Sequence, residues 1–136
     1  MAGYSGTPLA KKLGIRPGFS LALVEAPADF EKTLEGLPKD VRPVRGLKGK
    51  GPVDVIVLFV TRRKELEKRF ARAAGRLSEE TGAGIWVAWP KMASGVATDI
   101  TEEVLREVGL PSGLVDNKVC AIDETWSGLR FVRRRG

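Results

Sequence analysis

Two basic segments near the middle of the chain have side chains of the kind that binds anions. Arg62 and Arg63 begin the predicted long helix, directly after the most apolar predicted strand, and Lys91 follows the next predicted strand, 85–89. Cations in the first turn of a helix oppose the helix dipole, each at a cost of about 0.3–1 kcal/mol, whereas an anion bound there is stabilised. The pattern therefore predicts an anion or phosphate site at Arg62, Arg63 and Lys91. The alternative is a solvated helix end without a ligand.

The loop after the predicted strand 85–89 adds hydroxyl and carboxylate groups to this region, namely those of Ser94, Thr98 and Asp99. Ligands of open α/β sheets bind at the carboxyl ends of strands, so these three side chains are predicted to line the same ligand site. Lysine–serine pairs also serve nucleophilic catalysis. A small enzyme that acts on a phosphorylated or carboxylated substrate through the Lys91–Asp99 loop is therefore an alternative. A second interpretation of Asp99 is that of a helix cap.

A third group of polar residues lies in a predicted hairpin near the end of the chain. It consists of Asp116, Asn117, Lys118, Trp126 and Arg130. Tryptophan and arginine dominate the energetics of protein contacts, so this group is predicted to form a surface for a protein partner. The alternative for residues 116–118 is an ordinary turn. The chain then ends in a short basic tail, 133–136, which is expected either to hold phosphates electrostatically or to fray in solvent.

The overall charge favours anionic partners. The chain has 136 residues, which fits a single domain over 1–136, and its formal net charge is +6. A positive surface attracts polyanions, so a nucleotide or nucleic acid is the expected partner class, with simple solubility as the alternative.

Several classes of chemistry are excluded by composition. Histidine is absent, which removes Ser–His and Cys–His catalysis and the commonest zinc ligand. The single cysteine, Cys120, excludes an internal disulfide framework and is expected to be a buried structural thiol. Neither a metal nor a cofactor is predicted. The chain has no apolar signal core and no apolar run of about 20 residues, so a cytoplasmic protein that does not enter a membrane is expected.

Strand and helix patterns alternate along the chain. Strands are predicted at 19–24, 41–44, 53–60 and 85–89, followed by a hairpin of 114–122 and 129–133. Helices are predicted after Pro8, after Pro27, after Thr61 as its cap, and after Asp99, which forms a capping-box pattern with Glu102. This order predicts an α/β fold, a Rossmann-like three-layer sandwich with a mostly parallel sheet and a C-terminal antiparallel hairpin.

One connection is too short for this architecture. Residues 46–52 would have to join two parallel strands, whereas such a crossover normally takes a dozen or more residues. Either 41–44 is not a full strand, or the usual crossover helix is missing.

Three segments resemble a known family. They are Gly-Tyr-Ser-Gly-Thr-Pro-Leu-Ala-Lys-Lys-Leu-Gly-Ile (3–15), Trp-Val-Ala-Trp-Pro-Lys (86–91) and Asp-Asn-Lys-Val-Cys-Ala-Ile-Asp-Glu-Thr-Trp-Ser-Gly-Leu-Arg-Phe (116–131). Together they resemble the bacterial domain-of-unknown-function family number 3052 over essentially the whole chain. This resemblance implies no particular activity.

The element order is also similar to that of a trimmed class I methyltransferase. Those enzymes have a glycine-rich turn after the first strand, where this chain has Glu25-Ala26-Pro27-Ala28-Asp29. Their acidic residue after the second strand, which holds the cofactor ribose, is replaced here by a basic segment, 42–50. These departures from the methyltransferase pattern predict a degenerate scaffold without S-adenosylmethionine. Together with the net charge and the cations in the first turn of the long helix, they predict a binding or regulatory protein for an anionic ligand such as a nucleotide, phosphate or nucleic acid.

Overall fold

A six-stranded sheet organises the molecule, as seen in a computed structural model that describes residues 7–134. Its strands are β1 (Leu21–Val24), β2 (Pro43–Arg45), β3 (Val55–Phe59), β4 (Gly84–Pro90), β5 (Leu114–Ala121) and β6 (Trp126–Arg133). Their order across the sheet is β2-β1-β3-β4-β6-β5. The first four strands are parallel, and β6 runs antiparallel to both β4 and β5. The predicted Rossmann-like α/β class is confirmed.

Helices lie on both faces of the sheet. They are α1 (Leu9–Lys12), α2 (Phe30–Thr33), α3 (Arg63–Ala74) and α4 (Glu102–Gly109). Strand β3 is fully buried, and its side chains alternate between two apolar clusters: Ile56 packs towards α3 and α4, whereas Val57 packs towards α1 and α2. A strand covered on both faces needs apolar residues at successive positions, which explains its continuous apolar sequence.

The two tryptophans of β4, Trp86 and Trp89, lie on opposite faces of the sheet, because side chains alternate along a strand. Trp86 is 1% exposed in the cluster under α1, and its Nε1–H donates to the carbonyl oxygen of Leu13 at 2.9 Å. Trp89 is partly buried against the other cluster. The indole therefore holds α1 against the sheet, and Gly14, with a φ of 75°, follows the C-cap Leu13 in the left-handed conformation typical of helix ends.

The connection from β2 to β3 contains no helix. Strand β2 has only three residues, and the chain crosses β1 through residues 46–54 as an irregular loop. Leu47 replaces the missing helix in the core, since its side chain is 6% exposed and packs with the α3 cluster. The Leu47 carbonyl oxygen accepts two hydrogen bonds, one from Arg72 in α3 at 3.2 Å and one from Arg76, just after α3, at 2.7 Å. Both alternatives considered for this connection are therefore correct: the strand is short and the helix is missing.

The predicted helix after Pro27 is shorter than its apolar spacing indicates. Helix α2 ends at Thr33, because Leu34 has a non-helical ψ of 59° and Gly36 follows with a φ of 78°. Phe30 and Leu34 are nevertheless buried. The spacing of apolar residues after Pro27 therefore indicates which positions enter the core, and does not indicate how long the helix is. Within residues 7–134, none of the helices has the length and apolar character needed to cross a bilayer.

Candidate functional site

The carboxyl ends of β1 to β4 meet at one edge of the sheet, here called the carboxyl edge. The chain leaves β1 towards β2 on one side and returns to β3 on the other, so the switch point lies between β1 and β3. Ligands of open α/β sheets bind at such switch points. Because β3 pairs in parallel with β4, Arg62 and Arg63 lie on the same edge as the 91–99 loop.

The 91–99 loop is hydrogen-bonded to the start of α3. Thr98 donates from Oγ1 to the carbonyl oxygen of Thr61 at 2.7 Å. Asp99 accepts the Arg63 N–H at its Oδ1, at 2.8 Å. The structure thus brings Thr98 and Asp99 together with the first turn of α3, and a carboxylate of the chain itself occupies the position predicted for a bound anion.

Two predicted helix caps are wrong. Thr61 does not cap α3: the N-cap is Arg62, which makes no side-chain cap, and the Thr61 N–H donates to Glu65. Asp99 does not cap the helix that follows it, because Thr101 Oγ1 accepts the Val104 N–H at the start of α4. Asp99 is a helix cap, but for a helix that begins far earlier in the sequence.

The Arg63 side chain is neutralised within the chain. Its guanidinium contacts Glu107 at 2.6 Å and Glu67 at 3.1 Å. The hydrogen bond to Glu107, followed by that to Glu67, raises the pKa of Arg63 above its ordinary value. Arg62 is exposed and Lys91 half-buried, and among the described residues neither forms an ion pair. Of the three predicted anion-binding cations, Arg63 therefore already has carboxylate partners.

Ser94 stabilises the turn in which it lies. Its hydroxyl donates to the Lys91 carbonyl oxygen at 2.6 Å and accepts the Val96 N–H at 3.2 Å. Both partners are main-chain groups that flank the short 3-10 turn at Met92–Ser94. A nucleophilic serine needs an adjacent base, whereas this hydroxyl is engaged by the backbone.

Replacing Asp99 by alanine is expected to lower the free energy of unfolding by about 1 kcal/mol, the usual effect of losing a side-chain helix cap. The loss arises in α3, since the Arg63 N–H loses its acceptor. Urea denaturation followed by circular dichroism measures it. Asp99→Asn retains an oxygen acceptor and is the matched control, expected to lose less. Equal stability of Asp99→Ala and the parent would contradict the assignment of this cap.

Arg45, the last residue of β2, closes the loop that follows β1. Its guanidinium pairs with Glu31 through Nη2–Oε1 (2.6 Å) and Nε–Oε2 (3.0 Å). It also donates to the carbonyl oxygens of Ala26 at 2.9 Å, Pro27 at 2.8 Å and Ala28 at 3.1 Å. This set of contacts is called the Arg45 clamp. The bond from Arg45 is the main cause that lowers the pKa of Glu31, so the pair is fully charged at neutral pH.

The same loop begins with a residue in an unusual conformation. Glu25 has a φ of 57°, which L-residues other than glycine, asparagine and aspartate seldom adopt. The chain therefore turns away from β1 through a left-handed residue with a charged, exposed side chain. The Arg45 clamp then holds the next three carbonyl groups in place.

The five hairpin residues do not form one continuous group. Asp116, Asn117 and Lys118 lie in β5 beside Arg130, whereas Trp126 starts β6 at the opposite end. Trp126 is partly buried and packs edge-to-face on Phe59 of β3, with centroids 5.1 Å apart.

The other four hairpin residues have separate environments. Asp116 accepts from Arg106 Nε at 3.0 Å, while Asn117 and Lys118 are exposed. Residues 116–118 are a bulge within a strand rather than a turn, because the register shifts between Asp116 and Lys118. Arg130 donates to the Gly82 carbonyl oxygen at 2.6 Å.

The predicted basic tail begins later than expected. Arg133 is the last residue of β6, and its guanidinium donates to the carbonyl oxygens of Leu77 at 2.6 Å and Ser78 at 3.3 Å. It is therefore part of the fold rather than a frayed end. Arg135 and Gly136 lie outside the described residues.

Sequence reasoning missed a cavity of about 330 Å³ on the opposite side of the sheet, where β4 begins and β6 ends. We call this side the amino edge. Its lining includes Arg16, Arg130, Arg133 and Arg134. Arg130 was assigned to the predicted partner surface, and Arg133 and Arg134 to the basic tail, whereas Arg16 was not singled out. The cavity itself was missed because the segments that line it are far apart in the sequence.

Cys120 is half-buried rather than fully buried. Burial raises the pKa of its thiol, an effect that Lys12 and Lys118 partly oppose. The thiol form therefore predominates at neutral pH, which suits a structural rather than a reactive cysteine. Among residues 7–134, no group of three or more histidine, cysteine or acidic residues is arranged to hold a metal ion.

The fold matches those of solved methyltransferases. A SAM-dependent methyltransferase from Aquifex aeolicus superposes with a TM-score of 0.60 at 14% identity, over 90% of this chain and 86% of that one. The ribosomal protein L11 methylase of Lactobacillus delbrueckii subsp. bulgaricus gives 0.61 at 11% identity, over 93% and 76%. Aeropyrum pernix fibrillarin, with natively bound S-adenosyl-L-methionine, gives 0.55 at 12% identity, over 96% and 71%.

The sequence itself has no such counterpart. No family model matches the chain, and none of the curated proteins matches it either. At these low identities, the structural matches establish a methyltransferase-like fold and nothing further. The resemblance to family 3052 stays a prediction.

Proposed function

We propose that this protein is a binding or regulatory protein that uses a methyltransferase-like scaffold to engage an anionic ligand, and that it does not use S-adenosylmethionine. The observation that carries this proposal is the Arg45 clamp. It places an arginine–glutamate pair against the loop after β1, on the β2 side of the switch point, at the edge of the sheet where enzymes of this fold bind their cofactor.

The residues present do not fit S-adenosylmethionine. In class I methyltransferases an acidic residue after the second strand accepts hydrogen bonds from the ribose hydroxyls, whereas Arg45 carries donors alone. Those donors already bond Glu31 and the carbonyl oxygens of Ala26 to Ala28. The glycines that allow a cofactor to approach the backbone are replaced by residues with side chains, of which Pro27 and Ala28 are part of the clamp. No step of methyl transfer is therefore derived for this chain.

An anionic ligand is supported by the distribution of charge. The net charge is +6. Within residues 7–134, ion pairs engage Arg45, Arg63, Arg69 and Arg106, whereas Arg16, Arg130 and Arg133 form none. Unpaired cations on a folded surface raise the local concentration of anions and speed their association.

The two alternative functions have less support. Ser94, Thr98 and Asp99 each hold the loop or α3 in place through backbone hydrogen bonds, which favours a structural role over catalysis. Trp126 is partly buried and packs edge-to-face on Phe59, which reduces the surface that it can offer a protein partner. A binding protein for an anion is therefore the function that the geometry supports best.

Isothermal titration calorimetry at low ionic strength tests the proposal, because screening by salt weakens contacts between exposed charges. S-adenosylmethionine is expected to give no saturable binding. Inorganic phosphate, a nucleoside triphosphate and a single-stranded oligonucleotide are the anionic probes, and at least one is expected to bind with an affinity that falls as salt is added. Saturable binding of S-adenosylmethionine, or no binding of any of the three anions, would overturn the proposal.

A further inference from the structure

The amino-edge cavity concentrates arginine side chains that have no carboxylate partner. Arg16 donates to the Thr81 carbonyl oxygen at 3.1 Å, and Arg130 to that of Gly82 at 2.6 Å. Within residues 7–134, no carboxylate forms an ion pair with either. Glu79 and Glu80 also line the cavity, but both are exposed and neither pairs with its arginines. The positive charge of Arg16 and Arg130 is thus available to an anion from outside the chain.

Arg130 has the least satisfied of these guanidinium groups. Its side chain is half-buried, and its Nε–H is buried without a hydrogen-bond acceptor. Burial, and secondarily the charge of Arg16, lowers the pKa of Arg130. Placing two like charges near each other at a partly desolvated site is unfavourable unless a counter-charge is supplied. A bound anion would supply it.

The backbone is shaped to hold these two guanidinium groups. A Cβ atom at Gly82 would lie 2.8 Å from Arg16 Cζ, and one at Gly84 would lie 2.8 Å from Arg130 Nε. At Gly84 the Phe131 carbonyl oxygen is also only 3.2 Å away, so glycine there makes room for the half-buried Arg130. At Gly82 the atom met is the end of a flexible side chain, and the φ of 94° by itself favours glycine. Arg130 is therefore packed into a defined place, while the exposed Arg16 is held beside it by its hydrogen bond to the Thr81 carbonyl oxygen.

A β-bulge adds a further polar group to the same cavity. The register of β5 against β6 passes from Asp116–Phe131 to Lys118–Arg130, so Asn117 is an extra residue opposite Arg130. Bulges of this kind redirect a side chain and occur preferentially beside functional sites. Asn117 is exposed and lines the cavity, where its amide can donate hydrogen bonds.

We propose that Arg16 and Arg130 bind the phosphoryl group of a small phosphate monoester in the amino-edge cavity. This inference rests on the proposed function, to which it gives a place and a ligand class. Guanidinium groups bind phosphate oxygens through paired, charge-assisted hydrogen bonds, and a tetrahedral dianion can accept from two of them at once. The volume of about 330 Å³ lies at the lower end of the range for small-molecule pockets, which favours a small ligand over a nucleic acid strand.

Calorimetric titration with phenyl phosphate, a monoester, tests the site. Arg130→Met and Arg16→Met are each expected to weaken binding by about tenfold or more, because each removes a charge-assisted pair. Lys68→Met is the matched control: it removes the same charge from an exposed position on α3 and is expected to bind like the parent. Because Arg16 is exposed, its variant should fold even where Arg130→Met does not, which circular dichroism checks.

The outcomes separate this inference from the function on which it rests. Parent-like binding by both Arg16→Met and Arg130→Met would overturn the site but leave the anion-binding role intact. Loss of binding in Arg62→Met alone would also overturn the amino-edge site, because it would show that the anion binds at the carboxyl edge instead. It would likewise leave the anion-binding role intact. Dimethyl phosphate or an oligonucleotide that binds as tightly as phenyl phosphate would overturn the monoester class. Failure of the parent to bind any of these anions would overturn both proposals.

Discussion

Replacing Trp86 by alanine is expected to lower the free energy of unfolding by about 3–5 kcal/mol, the range for deleting a large buried aromatic side chain. Trp86 is 1% exposed and packs in the cluster between the sheet and α1. The substitution also removes the donor to the Leu13 carbonyl oxygen, and Leu13 itself is fully buried. A domain of this size is stable by only about 5–15 kcal/mol, so the variant would lose a large part of its stability.

Urea denaturation followed by far-ultraviolet circular dichroism measures this loss without relying on tryptophan fluorescence. Trp86→Phe keeps most of the packing but lacks the N–H, so it is expected to lie between the parent and Trp86→Ala. Trp89→Ala is the control on the same strand. Since Trp89 is partly exposed, a smaller loss is expected there. Equal losses at 86 and 89 would show that the indole under α1 has no special role.

The second large effect is expected from Gly109→Ala, at the end of α4. A Cβ atom at this position would lie 2.6 Å from Phe131 Cζ, far inside van der Waals contact. Phe131 cannot move freely, since it is fully buried and packs edge-to-face on Phe70 at 5.1 Å. Alanine would favour the helix by about 1 kcal/mol, but overpacking costs about 1–3 kcal/mol or more. A net loss of stability is therefore expected from a change that ordinarily stabilises helices.

Gly75→Ala is the matched control, because Gly75 ends α3 with helical angles of −72° and −14°. A Cβ atom there would meet the Arg72 carbonyl oxygen at an ordinary 3.6 Å. We expect this variant to be as stable as the parent or slightly more stable. Chemical denaturation of both variants side by side decides the matter, and a stabilising Gly109→Ala would disprove the close packing of α4 on β6.

The sequence was sufficient to predict where the strands lie along the chain, and a mostly parallel sheet with a terminal hairpin, because burial leaves a local pattern. The continuous apolar run of β3 and the alternating faces of β4 are properties of neighbouring residues. Counting residues 46–52 also indicated that either 41–44 is not a full strand or the crossover helix is missing. Helix lengths were less predictable: α2 has the apolar spacing of a longer helix, but Gly36 takes a left-handed turn.

The candidate sites depended on contacts that no local pattern records. Asp99 caps a helix whose first residue lies 36 positions earlier, and Arg45 pairs with Glu31 across 14 positions. The amino-edge cavity joins Arg16 to Arg130, from opposite ends of the chain. The sequence shows two glycines, Gly82 and Gly84, just before and at the start of β4. That they lie beside Arg16 and Arg130 becomes evident only in the folded structure.

The two outer strands of the sheet also restrict how this protein can associate with itself. An exposed sheet edge pairs readily with another chain when it is long, flat and regular. Here one edge strand, β2, has three residues, of which Pro43 has no N–H to donate. The other edge, β5, is interrupted by the bulge at Asn117 and carries the charged Lys118. Neither edge offers a long regular row of free backbone N–H and C=O groups. Pairing of an edge strand with that of a second copy of the chain is therefore disfavoured at both sides of the sheet.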